Sequence, residues 1–113
     1  MDGIYSVTFR GAVDWGVGML LLRQGRIVGA DVSGILFDGT YRDVNDALVV
    51  EVAMTVPPGA TLVQGTSAKP QPYKVEFRAS IPNQAIRDGR PVLIDMPPGP
   101  VNAIFRFLRA VEN

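Results

Sequence analysis

The chain contains no histidine and no cysteine. Without histidine there is no imidazole to serve as a general base near neutral pH. Without cysteine there is no thiolate nucleophile, and the two absences together remove the usual ligand sets for zinc and haem. Charge of one sign is missing too: 11 basic and 11 acidic side chains cancel to a formal net charge of zero. A nucleic-acid binder normally advertises itself by a basic excess, so no direct nucleic-acid partner is expected. No apolar run approaches the length of a membrane-spanning helix. The opening Met1-Asp2-Gly3-Ile4-Tyr5 lacks the basic start and apolar stretch of a signal peptide, and the expectation is a cytoplasmic location away from membranes. These absences point away from an enzyme, and no metal or cofactor is expected.

What is present is a chain of 113 residues, 47% of them hydrophobic, punctuated by 12 glycines and 9 prolines. That length gives a single domain over residues 1–113 that can bury a core without disulfide or metal. A neutral surface offers little colloidal repulsion, so self-association is permitted.

Short segments of apolar-polar alternation separated by turn residues mark an all-β domain. In Tyr73 to Ile81 every odd position is apolar, which puts one face on a core and the other in water. Gly3 to Arg10 groups Tyr5, Val7 and Phe9. Trp15 to Arg23 is apolar on both faces, which predicts a strand covered on both sides. Gln24-Gly25 is a tight turn into a strand over Arg26 to Val32. A weaker strand is expected over Leu36 to Arg42, interrupted at Asp38-Gly39, and a longer one over Val44 to Val56. The proline- and glycine-rich stretch from Pro57 to Pro72 reads as a loop with room for a short strand at Thr61 to Val63. Pro82 to Gly89 reads as one or two helical turns, with proline at the first position and glycine at the stop. Pro91 to Met96 is a strand. Val101 to Val111 fits period two through Val101, Ala103, Phe105 and Phe107, and period 3.6 through Ile104, Phe107, Leu108 and Val111. Its valine, isoleucine and phenylalanine content favours the strand. Eight strands result, the number for a small closed or nearly closed barrel.

Carboxylates are the only candidate acid-base groups, and Asp31, Asp38, Asp43 and Asp46 gather around one hairpin region. No spacing fixes them together, and aspartate is common in turns, so they read as turn and rim residues. Gly16-Val17-Gly18 lacks the lysine and the strand-to-helix context of a phosphate loop and reads as a place where backbones approach closely. The aromatic side chains either fill the barrel or line a cavity for one small ligand. Of the two apolar rows of the second strand, Leu20 and Leu22 against Trp15, Val17, Met19 and Leu21, one needs cover, and an oligomer interface supplies it.

Four stretches, Asp2-Gly3-Ile4-Tyr5-Ser6, Gly16-Val17-Gly18-Met19-Leu20, Gly25-Arg26-Ile27-Val28-Gly29-Ala30-Asp31 and Gly39-Thr40-Tyr41, resemble the GrlR family. The later Ile81-Pro82-Asn83-Gln84-Ala85-Ile86 is similar too. Members of that family are negative regulators of type III secretion gene expression. The resemblance implies a lipocalin-like, eight-stranded, antiparallel up-and-down barrel with an apolar interior, assembled as a homodimer. It also implies binding of a transcriptional activator through a surface run of four acidic residues. That run falls at Asp43-Val44-Asn45-Asp46, where two of the four positions are not acidic. Asp43 and Asp46 are thus the candidate partner-binding residues.

Two expectations follow. The first is a non-catalytic regulator that acts by binding another protein. The alternative is a carrier or sensor of a small apolar ligand, held in a cavity behind Tyr5, Tyr73, Phe77 and Phe105.

Overall fold

A computed structural model describes residues 2–111. The chain runs β1 (Gly3–Arg10), β2 (Trp15–Arg23), β3 (Arg26–Asp31), β4 (Leu36–Val44), β5 (Ala47–Val56), β6 (Tyr73–Pro82), α1 (Asn83–Asp88), β7 (Val92–Ile94) and β8 (Val101–Arg109). All eight strands form one antiparallel sheet in the order β6-β5-β4-β3-β2-β1-β8-β7. Every strand but one therefore pairs with the next in sequence, and β8 returns to pair with β1. The ring is open only between β6 and β7, where α1 packs against β6 and β8. The result is a nearly closed up-and-down barrel with one short helix.

Strand register explains the core. Inward rows carry Tyr5 and Val7 on β1, Leu22 on β2, Ile27 on β3, Phe37 and Tyr41 on β4 and alternate residues from Leu48 to Val56 on β5, all buried. The terminal segment follows period two as β8: Phe105 lies opposite Val7 and Phe107 opposite Tyr5. The register then slips by one residue, pairing Arg109 with Ile4 and leaving Leu108 as a bulge.

Several expected boundaries move, each for a local reason. The hairpin at residues 44–47 turns through Asn45 and Asp46, both at positive φ (49° and 63°), so Val44 ends β4 and β5 begins at Ala47. Two consecutive positive-φ residues make the type I′ loop that matches strand twist. Gln24 and Gly25 do the same between β2 and β3. Asp38-Gly39 does not interrupt β4. Gly39 lies across from Ile27 and Val52, and a Cβ there would run into the Glu51 carbonyl. β3 stops at Asp31 because that side chain's Oδ1 accepts the N–H groups of Ser33 (2.8 Å) and Ile35 (3.0 Å), turning the chain.

Thr61 to Val63 forms no strand. Prolines at 57, 58, 70 and 72 offer no N–H to a ladder, and the loop instead folds over one end of the barrel. There the Val63 carbonyl accepts from Val13 (3.0 Å) and Asp14 (3.2 Å), and Leu62 joins the buried core. The helix begins at Asn83, with Pro82 closing β6 in the N-cap place, and ends on left-handed Gly89 (φ 63°).

The second strand is covered on one side only. Leu20 and Leu22 turn inward, whereas Trp15 and Met19 of the other row are 60% and 52% exposed. Register extends that outward apolar row sideways: Met19 pairs with Ala30 and Ala30 with Leu36, while Leu21 pairs with Val28. An exposed apolar band thus crosses the outside of β2, β3 and β4.

Candidate functional site

Inside the barrel lies a cavity of about 160 Å³, walled by side chains such as Val7, Leu20, Ile27, Phe37, Val52 and Phe105. On three neighbouring strands Gly18, Gly29 and Gly39 take inward positions, facing Val7, Leu20 and Ile27 across the ladders, where a Cβ would run into the adjoining strand's backbone. The cavity itself shows that the interior is not fully packed by its own side chains.

The two ends of this interior differ chemically. At one end meet the β1–β2, β3–β4 and β7–β8 connections and the loop 57–72. Asp14, Asp31, Ser33, Thr61 and Gln64 border the cavity here. Gln64 Nε2 reaches the Gly99 carbonyl at 3.4 Å and Met96 Sδ at 3.6 Å, tying loop 57–72 to the β7–β8 connection. The Asp14 Oδ1 accepts the N–H of Trp15 at 2.8 Å. Among the described residues no lysine or arginine borders the cavity.

The other end holds the tight turns and a phenol-carboxylate group. The Tyr41 hydroxyl donates to Asp2 Oδ1 in a short hydrogen bond, and the Gln24 N–H donates to Asp2 Oδ2 at 3.1 Å. Burial pushes the Tyr5 phenol up to about 12, with Tyr41, Asp43 and Asp2 adding to the rise. Tyr41 is raised as well, first by burial and then by its bond to Asp2. Tyr5 also meets Phe107 edge to face, centroids 5.4 Å apart. Both phenols stay protonated at neutral pH, and Tyr41 spends its O–H on Asp2.

Of the aromatic residues singled out in the sequence, Tyr5, Phe77 and Phe105 border the cavity together. Tyr73 does not. It pairs with Val56 where β6 leaves loop 57–72, under the Lys69 ammonium 5.2 Å from its ring centroid. Its buried hydroxyl finds no partner among the described residues. Asp43 and Asp46 share a hairpin but not an environment. Asp43 follows Tyr41 in the same row of β4, within electrostatic reach of Tyr5 and Tyr41. Asp46 holds the second place of the turn, and its carbonyl accepts the N–H of Asn83 at 2.9 Å.

Sequence reasoning did not find Asp2, Asp14, Gln64 or Leu62 as site residues. Only Leu62 carried a signal, a lone leucine within a polar, proline-rich loop.

Comparison with protein-family models, with characterised proteins and with solved structures gave no match. The likeness to the GrlR family thus stands on its glycine, turn and strand motifs alone.

Proposed function

We propose that this protein is a non-catalytic binding protein that holds a small apolar ligand inside its barrel. The carrying observation is the cavity of about 160 Å³ among buried aliphatic and aromatic side chains. An apolar cavity of about 150 Å³ is known to stay dry and take up benzene, so the volume suits a single ring or a short branched chain. Tyr5 on the wall and the polar loop residues at one end give such a ligand direction. Toluene binding tests this reading, by thermal shift and by chemical-shift changes at Val7, Val52 and Phe105. Val52→Phe, which adds a ring to the cavity wall, should abolish the toluene response. An unresponsive wild-type protein would remove the proposal.

A second reading is favoured by the exposed apolar band over β2–β4. In it the protein is a cytoplasmic regulator that works by binding protein, as a homodimer joined through that band. The resemblance to the GrlR family supplies the partner class, a transcriptional activator of type III secretion genes, met through Asp43 and Asp46. Native mass spectrometry tests it: a monomeric protein at micromolar concentration would count against the dimer.

A further inference from the structure

We propose that the free edge of β6 pairs with the same edge of a second copy, antiparallel about a two-fold axis at Phe77. This surface is separate from the outward band on β2–β4, and the inference rests on neither reading above. β6 is a border strand of the sheet, paired with β5 alone. Among the described residues no loop supplies backbone hydrogen bonds to positions 74–80 from the open side. The N–H and C=O groups of alternate residues there therefore point into the seam. Phe77 and Ala79 belong to the inward row yet stay half-buried, so the border is open on its core side too.

The charges decide which strand can lie there. Lys74, Glu76 and Arg78 stand in one exposed outward row. On the β5 side Lys74 faces Thr55 and Glu76 faces Ala53, and among the described residues neither is in an ion pair. Arg78 holds Glu51 at 2.9 Å, with both side chains more than half exposed and guanidinium donors left over. A second copy centred on Phe77 sets each Glu76 opposite the other copy's Arg78, and each Lys74 opposite the other's Ser80. On the inner face Phe77 meets Phe77 and Val75 meets Ala79. Moving the centre by one residue sets Glu76 against Glu76 or Arg78 against Arg78, which is repulsive. Moving it to Val75 brings Pro72, which has no N–H, opposite Arg78. One register is selected and its neighbours are rejected. Val75 to Ala79 make the contact, and the Pro82 end stays with α1. The contact is isologous, so it closes on two copies and uses up β6 in both. A contact this small belongs to the weak class, with a dissociation constant of about 0.1–1 mM.

Sedimentation equilibrium of the full chain from about 10 μM to 1 mM, at low salt, reads the pairing as a rise in mass. The wild-type chain should show the rise, and added salt should weaken it. Glu76→Lys sets lysine against Arg78, and Arg78→Glu sets glutamate against Glu76. Each should raise the dissociation constant about tenfold or more. Mixed one to one, the two variants complement each other on both sides of the axis and should recover the wild-type association. Glu76→Lys with Arg78→Glu in one chain should recover it as well. Both positions are exposed, and unchanged thermal midpoints would show that the fold is intact. Three results would each overturn the pairing: no rise in the wild type, a rise that persists in both single variants, or a mixture as light as its components. Toluene binding and the mass at micromolar concentration decide the two readings above, and neither bears on this one.

Discussion

Tyr41 and Asp2, 39 positions apart in sequence, share a short hydrogen bond across the turn end of the barrel. Tyr41 is on β4 and Asp2 lies just before β1, and those two strands are separated by β2 and β3 in the sheet. The bond is therefore a clasp across the opening rather than part of a ladder. A hydrogen bond to a charged acceptor is worth about 1.5–3 kcal/mol when shielded, and less when water competes. Tyr41→Phe should lower stability by roughly 1–2 kcal/mol in urea unfolding. A double-mutant cycle with Asp2→Asn should show that most of this loss is shared between the two positions.

The raised phenols make stability fall in strong base. Tyr5 holds its proton to about pH 12 in the folded chain against an ordinary value of 10.0, so the unfolded chain releases that proton first. Fewer protons on the unfolded state mean that stability declines as pH rises. The contribution is complete below pH 10 and is lost between 10 and 12. Tyr41 acts in the same direction. Denaturation midpoints measured from pH 8 upward should show this decline, and Tyr5→Phe should make it shallower.

Gly39→Ala should be among the most damaging small substitutions in the chain. The new Cβ would meet the Glu51 carbonyl and the Val52 Cα of the adjoining strand, backbone atoms with no rotamer to yield. Overpacking of this kind costs about 1–3 kcal/mol, and thermal unfolding would register it.

Leu62 pins the 57–72 loop. It is 3% exposed although it lies in an irregular segment. Leu62→Ala should cost about 2–4 kcal/mol if the loop holds its place, the range for a truncated core leucine. Proteolysis between Pro57 and Pro72 should become faster in the same variant, because Leu62 is the loop's one fully buried apolar anchor among the described residues and its other ties are hydrogen bonds at the rim.

The outward band gives a prediction for assembly. Met19→Glu with Val28→Glu places charge at two exposed apolar positions without touching the interior. If the band joins two copies, light scattering should find a dimer for the wild-type chain and a monomer for the variant. Asp43→Lys with Asp46→Lys should leave that mass unchanged, since Asp43 lies in the Tyr41 row of β4 and Asp46 in the turn, both off the outward band.

Period-two alternation was enough to locate β6, because the outward positions of Tyr73 to Ile81 are plainly polar. It was not enough for β2, where both rows are apolar. Hydrophobicity alone would send Trp15 inward. The structure turns Gly16 and Gly18 inward instead, because Phe9 lies opposite Gly16 and a Cβ there would strike its ring. Space across the ladder decided the face, and space depends on the partner strand. A cavity was one of two readings open from the sequence, and its walls depend on how inward rows of separate strands meet, which no single segment records. Asp43 and Asp46 were joined as one acidic run only through the resemblance to the GrlR family. The positive φ values at 45 and 46 break that run into a strand residue and a turn residue. The clasp between Asp2 and Tyr41 needs the curvature of the whole sheet and left no local trace.

The seam between β6 and β7 bears on how the protein behaves in concentrated solution. A sheet that does not close has two free borders, and free borders recruit further strands from other molecules. Here the net charge is zero, so long-range repulsion does nothing to keep molecules apart. Protection has to be local, and it is. β7 is three residues long and begins directly after Pro91, which leaves almost no template. β6 carries Lys74, Glu76 and Arg78 on its outer face, so an incoming strand must bury or match alternating charges. Replacing those three residues with valine would convert a quiet border into a nucleus for fibrous growth.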